Sequence, residues 1–154
     1  MRTIVSGDDL HGSDVVVSWD PQSSGGSPIT GYKVYLQTAD GSFNSENTQC
    51  AYTVHQATVL VNTACQIAIT RLMQAPFNHV YGASIKAKVI ATNFYGDSGF
   101  SELGNGAVIV TYADAPASLV EDTAKRAATT LALSWLTPIA NGGATVLDYT
   151  VSYD

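Results

Sequence analysis

The sequence predicts an all-β fold, an antiparallel sandwich of short strands, followed by the start of a second copy. Two patterns and the composition point there. Apolar and polar positions alternate: Val15, Val17 and Trp19 against Asp14, Val16 and Ser18, then Tyr32, Val34 and Leu36 against Lys33 and Tyr35. A period of two turns one face to a core and the other to solvent. The stretch DVVVSWDPQSSGGSPITGYKVYL (14 to 36) then recurs as TTLALSWLTPIANGGATVLDYTVSYD (129 to 154). Trp19 maps onto Trp135, Gly25 and Gly26 onto Gly142 and Gly143, Tyr32 onto Tyr149 and Val34 onto Val151. The offset is 116 residues at the tryptophan and 117 after a one-residue insertion, which is one domain per repeat rather than a short solenoid unit. Eight Tyr with many Val, Ile and Thr favour strands, and 13 Gly and five Pro between apolar runs supply turns.

In chain order, the expected strands are 2 to 6, 14 to 19, and the run from Ile29 to Leu36. Then come about 49 to 54, 57 to 61 and 64 to 69. The last two are a strand through Ile85, Ala87, Val89 and Ala91, and one at 107 to 112. No segment carries a helical stripe with caps. Short strands at this spacing, separated by Gly, Pro and Asn turns, read as a sandwich.

At this level of detail the chain resembles the fibronectin type III family. The strand ending in Trp19, then Pro21, the Gly25-Gly26 turn and ITGYKVYL carry the first half of the resemblance. KVIATNFYGDSGFS (88 to 101) carries the second, with Val89 in the strand and Asn93, Gly96 and Ser98 at its exit. Leu72 is similar to the leucine that precedes that strand, and TYADAPASL (111 to 119) to a linker in which Pro116 opens the next module. The resemblance implies an immunoglobulin-like antiparallel β-sandwich, in tandem. It places Trp19, Tyr32, Val34, Leu72 and Val89 in the core of the first module, and Trp135, Tyr149 and Val151 in that of the second. The family's corner tyrosine should fall near Ile85, but the nearest tyrosine is Tyr81, after an enlarged segment MQAPFNHV (73 to 80). Further extra length lies around 42 to 65, and long additions of this kind are where binding surfaces tend to sit.

The expected organisation is a complete module at 1–113 and, at 114–154, a linker with the first three strands of a truncated second module. Leu131, Leu133, Trp135, Leu147, Tyr149, Val151 and Tyr153 would face a core lacking its other half. Leaving such side chains wet forgoes on the order of 10–20 kcal/mol, against a net domain stability of roughly 5–15 kcal/mol. Continuation of the chain past Asp154 is the favoured expectation. Completion by another molecule, or disorder of the segment, are the alternatives.

Function is read mostly by exclusion. The basic residues are scattered and the net charge is −6, with eight acidic and five basic residues in 1–113 and five and two in 114–154. This makes nucleic acid and anionic membrane unsuitable partners, and no apolar run is long enough for membrane insertion in this segment. His11, His55 and His79 lack metal-ligand spacing. There is no nucleophile elbow and no phosphate-binding Lys-Ser/Thr after the glycine pairs. No catalytic site, cofactor or metal is expected. Cys50 and Cys65 lie 15 apart in one module. A disulfide there suits an oxidising compartment and adds roughly 3 kcal/mol; two buried thiols are the other reading. The chain therefore reads as a non-catalytic structural or adhesive repeat of an extracellular or cell-surface protein. Its partners would be neighbouring repeats, self-assembled into a rod or filament. The alternative is an accessory spacer or carbohydrate-binding module of a secreted enzyme, with Tyr35, Tyr52, Phe94 and Tyr95 as sugar platforms. Unlinked cysteines would instead favour an intracellular scaffold array.

Overall fold

The computed structural model describes residues 3–7, 14–21, 23–51 and 63–153. The chain divides into two compact units, Met1–Ile109 and Val110–Asp154. Each is described by itself.

The first unit is two antiparallel sheets. One has the order β1-β2-β5, from Thr3–Gly7, Asp14–Trp19 and Ala64–Ala68; the other has the order β4-β3-β7-β8, from Phe43–Ser45, Ile29–Gln37, Ala87–Asn93 and Gly96–Asp97. A short pair, β6 (Ser84–Ile85) with β9 (Ala107–Val108), adds to them. The alternation seen in the sequence is the alternation of burial. Val15, Val17 and Trp19 of β2 and Cys65 and Ile67 of β5 are buried. They share one core with Tyr32, Val34 and Leu36 of β3 and with Ala87 and Val89 of β7. Trp19 and Tyr32 meet across it with ring centroids 5.2 Å apart. The central ladder is β3 with β7, running from Ile29 opposite Asn93 to Leu36 opposite Ala87, with one irregularity at Ile29–Gly31.

Several expectations change. The strand expected at 49 to 54 is absent at Gln49, Cys50 and Ala51, and its remainder, like the strand expected at 57 to 61 and Tyr52, lies outside the described residues. Gln49 instead uses its side-chain carbonyl to accept the Ala68 N–H (2.9 Å), so the segment is held by a side chain in place of a ladder. Ile69–Leu72 forms a single helical turn, α1, where no helix was expected; Ile69 and Leu72 are buried by it. The strand expected at 107 to 112 is only Ala107–Val108. Ile85 fills the core at the corner-tyrosine position, while Tyr81 lies at the surface. After β8 the chain keeps pairing with β7 irregularly, through Ser98 N–H to Ala91 O, Ser101 N–H to Val89 O and Gly104 N–H to Ala87 O. The Ser98 and Ser101 hydroxyls accept the Ala91 and Val89 N–H groups (3.0 and 2.9 Å) and so satisfy the edge of β7.

In the second unit Ala117–Glu121 (β10) pairs with Leu133–Leu136 (β11), with a shift between Ala117 and Val120. Trp135 and Tyr149 meet at 5.5 Å, as Trp19 and Tyr32 do. The third strand expected here forms no ladder: Leu147 to Tyr153 is unpaired, with Leu147 92% and Tyr153 94% exposed. The reason lies in the first unit, where the matching strand, β3, is held by β7. Among the described residues of 110–153, the ladder is β10 with β11, and it does not include residues 147–153.

Candidate interaction surface

The residues singled out from the sequence separate into three groups. Trp19, Tyr32, Val34, Leu72 and Val89 are core. Gly25, Gly26, Gly96, Gly142 and Gly143 all have positive φ, from +63° to +127°, a region that glycine enters without a steric penalty. Pro116 immediately precedes β10. Cys50 and Cys65 are joined as a disulfide, with Cα atoms 5.4 Å apart.

The disulfide is one of three ties holding the 42–51 segment onto β5 and α1. The second is the Gln49–Ala68 hydrogen bond. The third is a desolvated ion pair: Glu46, whose side chain is fully buried, lies 3.1 Å from Nε of Arg71, itself one-fifth exposed. Glu46 Oε1 accepts the Thr48 and Gln49 N–H groups at 2.8 and 2.9 Å. Oε2 faces the guanidinium off the hydrogen-bond direction, so charge rather than a hydrogen bond holds that contact. Arg71 also stacks over Phe77 at 4.8 Å and donates to Ala75 O at 2.7 Å. Sequence reading missed this pair because Glu46 and Arg71 are 25 residues apart, with no pattern linking them. Nearby, His79 is buried, its Nε2 2.7 Å from Gln37 O, a structural contact rather than a ligand position. Among the described residues no three His, Cys, Asp or Glu side chains cluster to hold a metal.

The outward face of the four-stranded sheet carries the groups most available to a partner. Lys88 Nζ sits 4.4 Å from the Phe43 ring and 5.5 Å from that of Phe100, a cation against two aromatic faces. Tyr35 meets Phe100 edge-on at 5.1 Å. Beside them Lys33 pairs with Asp97 at 2.6 Å, and Thr92 Oγ1 donates to the same carboxylate at 2.7 Å. The Lys33 ammonium, then the Thr92 hydroxyl, hold the Asp97 carboxyl below its ordinary range, and Asp97 raises Lys33 in turn.

The β7–β8 turn projects Phe94 and Tyr95, each 86% exposed and perpendicular to one another. Asn93 builds this turn. Its Oδ1 accepts the Tyr95 N–H (2.9 Å) and its Nδ2 donates to Ser24 O (3.3 Å), tying the turn to the β2–β3 loop. Between them lies an open groove of about 390 Å³, walled by Ser23, Ser24, Asn93, Tyr95 and Phe100. Of the four aromatic residues expected to face solvent, Tyr35 packs on its neighbour, Phe94 and Tyr95 stand free, and Tyr52 is outside the described residues. What these described side chains offer is aromatic contact, a cation against aromatic faces and hydrogen bonding.

Residues 3–63 match the family model described as Fibronectin type III domain. No curated protein matches the chain. Among solved structures, the twitchin kinase region of C. elegans is 21% identical with a TM-score of 0.47, over 70% of this chain and 16% of that one. A titin module from human cardiac muscle is 18% identical with a TM-score of 0.44, over 68% of this chain and 88% of that one. Three domains of chicken CNTN1 are 14% identical with a TM-score of 0.44, over 86% of this chain and 41% of that one. The chain thus spans only a small part of the twitchin region it matches. The first unit, with two antiparallel sheets closing on the Trp19–Tyr32 core, thus carries a match to the fibronectin type III family over residues 3–63.

Proposed function

We propose that this chain is a non-catalytic structural or adhesive repeat segment of an extracellular or cell-surface protein. In it, tandem sandwiches follow one another as an extended rod or filament. The observation that carries the reading is that the second unit rebuilds parts of the first. Trp135 against Tyr149 repeats Trp19 against Tyr32, and the Gly142-Gly143 turn repeats the φ values of Gly25-Gly26 within a few degrees. The apolar face around Trp135 supports the same reading, because it has the composition of a core and needs further strands to cover it. The Cys50–Cys65 disulfide supports an oxidising compartment. Intact mass of the native polypeptide tests this: a mass well above that of these 154 residues sustains the array, and a mass equal to theirs refutes it. A gain of two hydrogens on reduction is expected, and its absence would move the protein to an intracellular scaffold.

Partners would be proteins, chiefly neighbouring repeats, with the Phe94–Tyr95 tip as the exposed contact. The second reading, a carbohydrate-binding or spacer module of a secreted enzyme, has the same two rings in its favour. Their perpendicular arrangement leaves no shared flat platform for a sugar, which favours a protein contact. Titration with soluble oligosaccharides, read by tyrosine fluorescence, separates the two readings: a saturable change would overturn the protein-only assignment.

A further inference from the structure

The turn between the second and third strands is built twice in this chain, covered in one copy and open in the other. In the second unit Gly142 and Gly143 have φ of +65° and +85°, and Ala144 N–H bonds Asn141 O at 3.3 Å. In the first unit Gly25 and Gly26 have φ of +63° and +89°, and Ser27 N–H bonds Ser24 O at 3.3 Å. The backbone is the same turn.

Its surroundings differ. In the second unit the segment leading into the module lies along the turn: Thr111 N–H donates to Gly142 O (2.8 Å) and Asp114 N–H to Ala140 O (2.9 Å). Gly142 is buried, and a Cβ there would collide with the carbonyl oxygens of Thr111 and Tyr112. In the first unit Gly25 is exposed and a Cβ would meet nothing within 4 Å. The matching acceptors, the carbonyls of Gly25 and Ser23, receive no donor among the described residues. Asn93, donating to Ser24 O at 3.3 Å, holds the open turn in shape. A φ near +63° alone would admit Asn or Asp. A backbone strand lying on the turn admits only glycine.

We propose that the Ser23–Gly26 turn is a seat for an extended lead-in segment of the kind formed by Thr111–Asp114. It would take two backbone N–H donors onto the Gly25 and Ser23 carbonyls, so that each module clasps the segment entering it. This rests on the tandem reading above.

The test grafts the seven residues Val110–Pro116 directly ahead of Met1 in the full chain, which preserves the repeat offset, and follows amide hydrogen exchange by NMR. The grafted threonine and aspartate amides are expected to exchange at least tenfold more slowly than in the free heptapeptide. Gly25→Asn, which keeps the positive φ but adds a Cβ, is expected to return them to the free rate. Without the graft, Gly25→Asn should leave the Trp19 fluorescence unchanged, since its Cβ meets open space. Free-peptide exchange rates in the graft, or protection that survives Gly25→Asn, would overturn the proposal. A native mass equal to 154 residues alongside a protected graft would remove the array and leave the seat standing, so the two failures are distinguishable.

Discussion

Arg71→Met probes the ion pair that sequence reading could not see. The substitution keeps most of the aliphatic stem over Phe77 but removes the cation facing Glu46. Glu46 is fully buried on its side chain and keeps two N–H donors on Oε1, but Oε2 is left with no opposite charge. Removing one partner of a buried pair costs about 3–5 kcal/mol, because the surviving charge stays desolvated. Arg71 is one-fifth exposed, and solvent screening brings the expected loss to the lower end, about 3 kcal/mol. At roughly 4 °C per kcal/mol for a domain of this size, the melting temperature should fall by about 12 °C. The assay is urea and thermal unfolding under oxidising conditions, followed by tryptophan fluorescence. Glu46→Gln combined with Arg71→Met supplies the control. The amide oxygen still accepts from Thr48 and Gln49 and no charge remains, so the double variant should recover to within about 1 kcal/mol of the parent. A loss below 1 kcal/mol in Arg71→Met alone would mean that water reaches Glu46 in solution, and would refute the reasoning.

The other predictions are briefer. Replacing both Cys50 and Cys65 by Ala opens a loop of 15 residues and should cost about 3 kcal/mol by chain entropy, read as a lower urea midpoint; an unchanged midpoint would refute the estimate. Leu72→Ala empties a fully buried site and should cost about 2–5 kcal/mol, again by urea unfolding. Asp40 is held down to about 2 by the Thr38 hydroxyl, then by the Ser42 amide and hydroxyl. A carboxyl lowered by folding adds stability above its ordinary value of 3.8 and loses it as the pH falls through the lowered one. Acid unfolding should therefore steepen between about pH 4 and pH 2, and Asp40→Asn should remove that contribution from the pH profile.

What the sequence showed is what repeats at period two. The inward residues of β2, β3 and β7 were legible because sheet geometry maps alternation directly onto burial. Extra length between strands followed no such rule. The 42–51 segment is held by Glu46, Gln49 and Cys50 reaching β5 and α1, contacts between residues 15 to 25 apart that obey no period. Of these, only the disulfide left a trace in the sequence, as two cysteines in one module with their pairing open. The helical turn Ile69–Leu72 is too short for a 3.6-residue stripe to show. The β7–β8 tip was partly legible: Phe94 and Tyr95 stood out as exposed aromatics, but their perpendicular packing depends on the turn that Asn93 builds. Ser98 was read at the exit of the strand, yet its hydroxyl, like that of Ser101, bonds the edge of β7.

The comparison of the two units isolates what a third strand needs. Tyr149, Val151 and Tyr153 repeat the inward pattern of Tyr32, Val34 and Leu36 with the same alternation and the same preceding glycine pair. Propensity and pattern are therefore held nearly constant, and still one segment is a nine-residue strand and the other has no ladder. The difference is β7, whose backbone pairs with β3 from Ile29 to Leu36. Strand propensity spans only about 1 kcal/mol and depends on packing against neighbours; it does not order an unpaired segment against backbone entropy of about 1–2 kcal/mol per residue. The Trp135–Tyr149 contact nevertheless forms without the ladder. The aromatic contact thus does not require the ladder, and what sets β3 apart from residues 147–153 is the backbone of β7 paired alongside it.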